Sequence, residues 1–539
     1  MTKTDIFSLF TFEERPLRNP HTHPNQAFFH QNHSFSKKIA KKSHIVLSNQ
    51  SRYGRIFLIS IFFSSVCREK KLELQIPILR CVNVNENRSS FSSRIGFVLA
   101  AAGSAVGLGN LWRFPYLAAK YGGGIFLLVY IILALTFGFA LMVTEIAIGR
   151  KTRLSCINAY GTLDKRFKFL GPLAAIVPIV IVPYYCVIGG WVIKYLFEFV
   201  TGNGLALADD AYFGNFIGVA NSSLIDNPMP WFVLFVVLTA VIVILGVDKG
   251  IEKCSKVMMP ILVVLCIIVA IYSLTLPGAM EGLKFYLLPD FSKFSISTVL
   301  GAMGQLFYSM SLAMGIMITY GSYMKDDNHL ESSVGQIEIF DTAIAMLAGL
   351  MIIPSVVAFN GGDASTISAG PGLMFGVLPK VFESMGMGTF IGTVFFLLVF
   401  FAALTSSISL METFLSIVQD KLHVGRITGT IGCTVFIIAL GTLSCLGYGP
   451  LSHITIIGMA FLDFFDFATN SILMPIVAFF TCILIGHVLG TKFVSDEVEK
   501  NGVFKRKGLY EVMVRWVAPI ILVVILAGEL AKYFGIISI

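Results

Sequence analysis

Glycines and an asparagine interrupt a long apolar segment, residues 94–124, near its middle. The interruption is the stretch 107–110, Gly-Leu-Gly-Asn, and Trp-Arg-Phe-Pro follows at 112–115. In hydrocarbon, a broken helix is tolerated only where protein or a cavity satisfies the freed backbone groups. Freed carbonyls and an amide oxygen are hard ligands that suit a small cation. The stretch therefore predicts a cavity with an ion site, although Gly103 and Gly107 alone also fit a close-packed face between helices.

Further polar groups lie in other apolar segments, and each has a structural alternative to a binding role. Thr405 and Ser406 offer adjacent hydroxyls, but hydroxyls in membrane helices often donate to a carbonyl of the preceding turn. Asp341 begins an apolar stretch, where a carboxylate is costly unless it is paired or reaches the membrane surface. Tyr185 lies well inside a long apolar segment, whereas tyrosines of membrane proteins concentrate at the interfaces. Oxygen ligands without several carboxylates favour a monovalent ion over calcium.

Other chemistry finds no support in the sequence. There is no HExxH motif, no CxxC pair and no grouping of Ser, His and Asp at depth. The nine cysteines lie mostly in apolar segments, so we expect neither a disulfide framework nor a zinc site. Five of the nine histidines fall within residues 21–44, where a disordered polar tail is favoured over a metal site. The sequence supports neither an intramembrane enzyme nor a channel, because no repeated carbonyl filter or ring of charges is visible.

The elements that must position these groups are membrane helices. Of the 539 residues, 55% are hydrophobic and only 13% are charged, and the mean hydropathy is +0.79. These values indicate a polytopic membrane protein. The net charge is +8, but residues 1–94 hold 15 basic and 6 acidic residues, so the rest of the chain carries 25 against 26. Basicity therefore belongs to the N-terminal extension, and we expect no nucleic-acid partner.

Eleven apolar segments begin at about residue 94, and the charges of the loops between them orient the chain. The loop 150–170 holds six lysines and arginines, whereas the loop 201–230 holds three aspartates and no basic residue. By the positive-inside rule the first loop is cytoplasmic and the second is external. Eleven crossings then put the N-terminus inside and the C-terminus outside. Residues 1–88 are expected to be a disordered extension, or a segment upstream of the real translation start.

A second apolar segment, 294–323, is interrupted at 309–315. Five spans run from each break, within residues 89–276 and 277–488, and an odd number makes the two halves enter the membrane from opposite sides. This pattern indicates an inverted repeat whose sites lie between two discontinuous helices. The predicted fold is an all-α polytopic membrane protein with 11 transmembrane helices, a 5+5 inverted repeat and discontinuous helices 1 and 6. Residues 489–539 add a cytoplasmic loop and helix 11.

Three motifs carry a resemblance to a known family. They are GSAVGLGNLWRFPY at 103–116 with YGGG at 121–124, GQLFYSMSLAMG at 304–315 and LTSSISLME at 404–412. With them the chain resembles the neurotransmitter:sodium symporter family, and its eleven spans resemble the bacterial, leucine-transporter-like branch. The resemblance covers the chain from about residue 88 to its end. It implies transport of an amino acid together with sodium ions.

The resemblance implies two sodium sites. The first would use the Ala105 carbonyl, the Asn110 side chain, Ser309 and Asp341. The second would use the carbonyls of Gly103, Val106 and Ala402 and the hydroxyls of Thr405 and Ser406. Relatives carry Asn at the position of Asp341, and chloride-dependent relatives add a Ser one turn later, where this chain has Ala345. Asp341 would then supply the charge that chloride brings to those relatives, so chloride-independent transport is expected.

The resemblance also implies a substrate site. Backbone N–H groups near Leu108 and Gly109, at the open end of a half-helix, and the Tyr185 hydroxyl would hold a substrate carboxylate. The remaining residues of the implied site are Ile181, Tyr308, Ser309, Ser311, Met314, Ser406 and Leu410. None of them is charged, which argues against charged amino acids as substrates. The adaptable side chain of Met314 suits a large apolar or aromatic substrate.

Two gates follow from the same resemblance. Arg113 and Asp466 would close the outer side of the site, and Arg88 with Asp420 and Tyr323 would close the inner side. The predicted protein is therefore a sodium-coupled symporter of the cell (inner) membrane that imports a neutral, hydrophobic or aromatic L-amino acid by alternating access. The alternative is a transport-inactive amino-acid sensor or membrane assembly protein, which need not retain the gates. Membrane lipid and a second copy of the chain are the other expected partners.

Overall fold

The fold is helical throughout the part of the chain that the computed structural model describes, residues 89–219, 223–361 and 371–534. Within these ranges there is no strand, only two isolated bridges. The N-terminal extension predicted for residues 1–88 lies outside the described residues. The all-α class predicted from the sequence is confirmed.

Eighteen helices are numbered here in chain order. Those before residue 276 are α1 (Arg94–Ala105), α2 (Gly109–Lys120), α3 (Gly124–Thr152), α4 (Cys156–Leu163), α5 (Lys165–Val200), α6 (Tyr212–Ile217), α7 (Pro228–Ile244) and α8 (Val247–Leu274). Those after it are α9 (Ala279–Leu287), α10 (Ile296–Ser309), α11 (Ile316–Tyr323), α12 (Leu330–Phe359), α13 (Leu378–Glu383), α14 (Gly388–Leu422), α15 (Arg426–Leu446), α16 (Phe461–Val488), α17 (Lys492–Glu499) and α18 (Lys507–Ala531).

Length and composition identify the membrane-crossing helices. Eight of the described helices are long and apolar enough to cross a membrane: α3, α5, α8, α12, α14, α15, α16 and α18. The pair α1 and α2 also passes this test and is bent by 52°. Helix α7 is a shorter apolar helix of 17 residues, and α10 with α11 form a second interrupted pair. The arrangement is compatible with eleven spans, and both that count and the division at residues 276 and 488 remain predictions.

The first break begins where α1 loses helical geometry. Ser93 caps the start of α1, its hydroxyl accepting the Gly96 N–H at 3.1 Å. At the other end of α1 the backbone of Val106 is extended, with φ −74° and ψ 98°. The Val106 N–H makes the last hydrogen bond of this helix, to the Ala102 carbonyl oxygen at 2.7 Å. The carbonyls of residues 103–106 therefore receive no N–H from a following helical turn.

The second break is a short run of left-handed backbone between α10 and α11. Ser311, Ala313 and Gly315 have φ values of 52°, 58° and 71°. Only glycine adopts this conformation freely, and other residues incur about 1–2 kcal/mol each. The two non-glycine residues must therefore be held by their surroundings.

The central helices bring the two breaks together. Helix α14 is the most deeply buried of the long apolar helices, packs along α5 and also contacts α1, α8 and α11. Helix α12 packs against α1, α2 and α3. Polar side chains of α12 and α14 thus lie close to the two breaks. The backbone groups of the breaks have no hydrogen-bond partner within a helix.

Candidate functional site

The buried carboxylate of Asp341 connects the two breaks. Asp341 on α12 is fully buried, and its Oδ1 accepts hydrogen bonds from Asn110 Nδ2 at 2.8 Å and Ser309 Oγ at 2.7 Å. Its Oδ2 accepts one from the Tyr130 hydroxyl at 3.2 Å. Asn110 belongs to the first break and Ser309 to the start of the second. The side chain is fully buried inside the protein, so the alternative of a solvated carboxylate is wrong.

Neutral donors bind this carboxylate in the described part of the chain. Among the described residues, no lysine or arginine forms an ion pair with Asp341. A buried charge without a partner is costly, so a cation beside it is strongly favoured. Three of the four residues predicted for the first sodium, Asn110, Ser309 and Asp341, lie in hydrogen-bonding contact, and Ala105 lines the adjacent cavity. One negative charge among oxygen ligands fits a monovalent cation.

The residues predicted for the second sodium meet where α1 crosses α14. Ser406 Oγ lies 3.4 Å from the Gly103 carbonyl oxygen and 3.3 Å from that of Val106. Thr405 Oγ1 lies 3.1 Å from the Ala402 carbonyl oxygen, so its hydroxyl bonds within its own helix, as the structural alternative supposed. A Cβ added to Gly103 would lie 3.3 Å from Thr405 Cβ, which shows how closely the helices approach. The structure thus brings all five residues into one cluster of oxygen atoms.

A cavity lies between the two breaks and α5. Its lining residues are Ser104, Ala105, Gly107, Leu108, Gly109, Ile181, Tyr185, Tyr308, Ser311, Met314, Ile316, Ser406 and Leu410. Nine of the ten residues predicted for the substrate site are among them, and the tenth, Ser309, lies against Asp341. The Leu108 N–H donates to the Tyr185 hydroxyl at 3.3 Å. The groups predicted to bind a carboxylate are therefore neighbours.

The glycines of the first break are required by close contacts across the cavity. A Cβ on Gly109 would lie 2.4 Å from the ring of Tyr308, and one on Gly107 would lie 2.7 Å from Ser406 Oγ. Real Cβ atoms do not approach other atoms this closely, so a side chain at either position would displace a wall of the cavity. The close fit explains why glycine occupies both positions.

Glu145 on α3 supports the second break and was not predicted as a site residue. It is buried, and its Oε1 accepts the Ala313 N–H at 2.7 Å, fixing one of the left-handed residues. The signal that would have found it is the one used for Asp341, an acidic residue inside an apolar segment.

Ser104 was also missed, and its hydroxyl donates to Ser311 Oγ at 3.2 Å across the two breaks.

The two residues of the predicted outer gate contact neutral groups. Asp466 accepts hydrogen bonds from the Tyr184 hydroxyl, at 3.1 Å, and from the Asn470 amide. Arg113 instead places its guanidinium carbon 5.4 Å from the ring centroid of Tyr308, and it forms no ion pair with Asp466 among the described residues. Neutral donors thus satisfy the carboxylate and an aromatic ring contacts the cation, and the outer gate stays a prediction.

The predicted inner gate is described only in part, and it stays a prediction. Arg88 lies outside the described residues, and Asp420 accepts the Ser155 N–H at 2.6 Å. The Tyr323 hydroxyl donates to Glu412 Oε1 at 2.9 Å, and Glu412 pairs with Arg426 at 2.5 Å. Tyr323 thus joins a half-buried ion pair between α14 and α15 that was not predicted.

Comparisons with known proteins agree with this geometry. The profile of the sodium:neurotransmitter symporter family matches residues 88–209 and 217–536. An uncharacterized sodium-dependent transporter of Bacillus subtilis is 34% identical over 445 residues, which cover 81% of this chain and 96% of that protein. The sodium- and chloride-dependent taurine transporter of Bos taurus is 28% identical over 76% of this chain and 73% of its own length.

A solved structure is similar over most of the chain. It is the crystal structure of MhsT in complex with L-phenylalanine, with a TM-score of 0.74, 38% sequence identity, and coverage of 82% of this chain and all of that one. Members of this family are transporters and not enzymes. The family profile, the relatives and the arrangement of two broken helices around a buried carboxylate lead to one conclusion: the chain belongs to the sodium:neurotransmitter symporter family.

Proposed function

We propose that the protein is a secondary active symporter that imports a neutral L-amino acid with sodium by alternating access. The observation that carries the proposal is the position of Asp341. Its carboxylate is buried, has no cationic partner among the described residues, binds both breaks through Asn110 and Ser309, and lies next to the cavity. A sodium ion there neutralises the carboxylate and presents a positive charge to a substrate at the first break.

Coupling follows from this adjacency. A sodium ion at Asn110 and Asp341 and a substrate carboxylate at Leu108 and Tyr185 are neighbours, so each raises the affinity of the other, and this linkage is reciprocal. The membrane potential adds about 2.3 kcal/mol per charge per 100 mV to the driving force. The second ion, at Gly103, Val106, Ala402, Thr405 and Ser406, stabilises the contact between α1 and α14.

The cavity favours a hydrophobic or aromatic substrate side chain. Ile181, Met314 and Leu410 contribute apolar walls, and the lining contains no charged residue. A charged side chain would therefore lose its hydration without gaining a partner. The similar MhsT structure holds L-phenylalanine, which supports an aromatic substrate here.

Transport is proposed to be independent of chloride. Asp341 carries a permanent negative charge into the ion site, and Ala345, one turn further along α12, has no hydroxyl to offer an anion. Replacing chloride with gluconate should leave uptake unchanged. A fall to background in gluconate would contradict this part of the proposal.

The decisive experiment uses purified protein in proteoliposomes. Uptake of a labelled amino acid is measured with and without an inward sodium gradient, and the standard neutral amino acids are added as competitors. We expect accumulation only with the gradient, and strongest competition from aromatic and large aliphatic amino acids. Accumulation without the gradient would overturn the symporter, and sodium-dependent binding without any uptake would favour the sensor.

The placement in the cell is proposed together with the function. The many apolar helices indicate a multi-pass membrane protein, and we place it in the cell (inner) membrane with the N-terminus cytoplasmic and the C-terminus external. The basic loop 150–170 and the acidic loop 201–230 support this orientation. Lipid surrounds the outward-facing apolar side chains, and a homodimer is proposed as its assembly.

A further inference from the structure

A buried glutamate ties the beginning of α1 to α8. Glu252, on α8, is 1% exposed. Its Oε2 accepts the Ser92 N–H at 2.6 Å, and its Oε1 accepts the hydroxyls of Ser92 at 2.6 Å and Ser93 at 2.8 Å. One carboxylate thus receives three hydrogen bonds from the two residues that precede α1. Hydrogen bonds to a charged acceptor are stronger than those between neutral groups.

A glycine on α1 makes room for this carboxylate. A Cβ built on Gly96 would lie 2.0 Å from Glu252 Oε1 and 2.4 Å from its Cγ. The glutamate side chain therefore rests directly against the backbone of the first turn of α1. Any larger residue at position 96 would force the carboxylate away from Ser92 and Ser93.

The ion pair with Lys256 contributes less than the serine contacts. Lys256 Nζ lies 2.7 Å from Glu252 Oε1, but the lysine side chain is 40% exposed. Pairs open to water on one helix are worth little. The link between the two helices is therefore made by Ser92 and Ser93, while Lys256 only balances charge within α8.

The tie acts on the same helix that carries the second ion site. Gly103 lies seven residues beyond Gly96, or roughly 10 Å along a helix that rises 1.5 Å per residue. Moving the start of α1 away from α8 must break all three hydrogen bonds to Glu252 together. The same movement would carry the Gly103 and Val106 carbonyls away from Ser406.

We propose that Glu252 is a positioning residue of the transport cycle, a latch that holds α1 against α8 and keeps the path to the second ion site closed on the side of Ser92. This proposal rests on the proposed transport function. It differs from the predicted gate of Arg88 and Asp420, because neither of those residues takes part. Weakening the latch should favour the state that is open on this side without changing the groups that bind ion or substrate.

A cysteine at Met259 reports this opening. Met259 on α8 is fully buried, and its Sδ lies 3.3 Å from the position of a Cβ on Gly103, so it faces α1. Met259→Cys is introduced into a cysteine-free full-length variant that retains sodium-driven uptake. Its labelling by an impermeant maleimide is followed in inside-out vesicles. We expect Glu252→Gln, Gly96→Ala and Ser92→Ala each to accelerate labelling by about tenfold, because each removes or displaces a charge-assisted hydrogen bond.

Two matched variants serve as controls. Lys256→Met removes the exposed ion pair, and Gly432→Ala adds a Cβ at a glycine with nothing within 4 Å. Both should leave labelling within about twofold of the parent. Equal labelling of Glu252→Gln, Gly96→Ala and the parent, with sodium-driven uptake intact in the parent, would overturn the latch. Absence of sodium-driven uptake in the wild-type chain would instead overturn the function on which the latch rests.

Discussion

Asp341 and the glycines of the first break have complementary roles at the residue scale. The carboxylate brings charge into the membrane, and the glycines leave space for atoms to approach it. Oδ1 of Asp341 receives two hydrogen bonds, one from each break, so the charge is shared between the two halves of the chain. Ion affinity and cavity shape should therefore respond to different substitutions.

Asp341→Asn should weaken sodium binding by about tenfold or more, because a neutral amide gives up the buried charge that attracts the cation. The measurement is the sodium dependence of substrate binding by purified protein. Asp496→Asn, at an exposed aspartate of α17, is the matched control and should leave it unchanged. An unaltered sodium dependence in Asp341→Asn would show that Asp341 does not belong to the ion site.

Gly109→Ala should abolish measurable substrate binding while the protein still folds, since the new Cβ would lie 2.4 Å from the ring of Tyr308 and push it into the cavity. Binding of a labelled neutral amino acid is the assay, with thermal unfolding measured in parallel. Gly508→Ala, where nothing lies within 4 Å, provides the control. Normal affinity in Gly109→Ala would mean that Tyr308 does not limit the cavity.

Sequence reasoning succeeded where one residue type has few alternative explanations. The Gly-Leu-Gly-Asn stretch predicted the first break, and an aspartate in an apolar segment predicted the buried charge of Asp341. It did not indicate the contacts of Arg113 and Asp466, because a charge pair in the sequence does not reveal which neutral donor or ring is nearer. It missed Gly96 and Glu252, which lie far apart in the chain and come into contact only in the fold.

At the scale of helices, the second break depends on support from its neighbour α3. Ala313 has φ 58° and Ser311 has φ 52°, and neither is glycine. The sequence suggested an interruption here through its serines and Gly315. It did not indicate which residues become left-handed, because that is decided by Glu145 accepting the Ala313 N–H.

Glu145→Ala should lower the stability of the protein by about 1–3 kcal/mol, since it leaves a buried backbone N–H without an acceptor. Glu145→Gln should lower the stability by a smaller amount, because its amide oxygen still accepts the hydrogen bond from the Ala313 N–H. Thermal unfolding of the two variants in the same detergent gives the comparison, and uptake should fall in the same order. Equal destabilisation of the two variants would show that charge, and not the hydrogen bond to Ala313, is what matters.

At the scale of the whole molecule, the orientation in the membrane is the largest remaining prediction. The fold class follows from composition, but which side faces the cytoplasm follows only from the charges of loops 150–170 and 201–230. Single cysteines at Lys165 and at Asp209, both exposed, test this. In intact cells an impermeant maleimide should label position 209 and should reach position 165 only after permeabilisation. The reverse pattern would invert the topology.

The 52° bend between α1 and α2 has an electrostatic consequence for the molecule. Aligned peptide units give a helix a partial negative pole at its C-terminus and a partial positive pole at its N-terminus. The break therefore presents both poles within a few ångströms, the negative end of α1 toward a cation and the positive end of α2 toward an anion. A cation and an anion that enter together therefore each meet a helix end of the opposite partial charge. For the proposed symport, the backbone itself then favours a cation that enters together with an anion, before any side chain distinguishes one substrate from another.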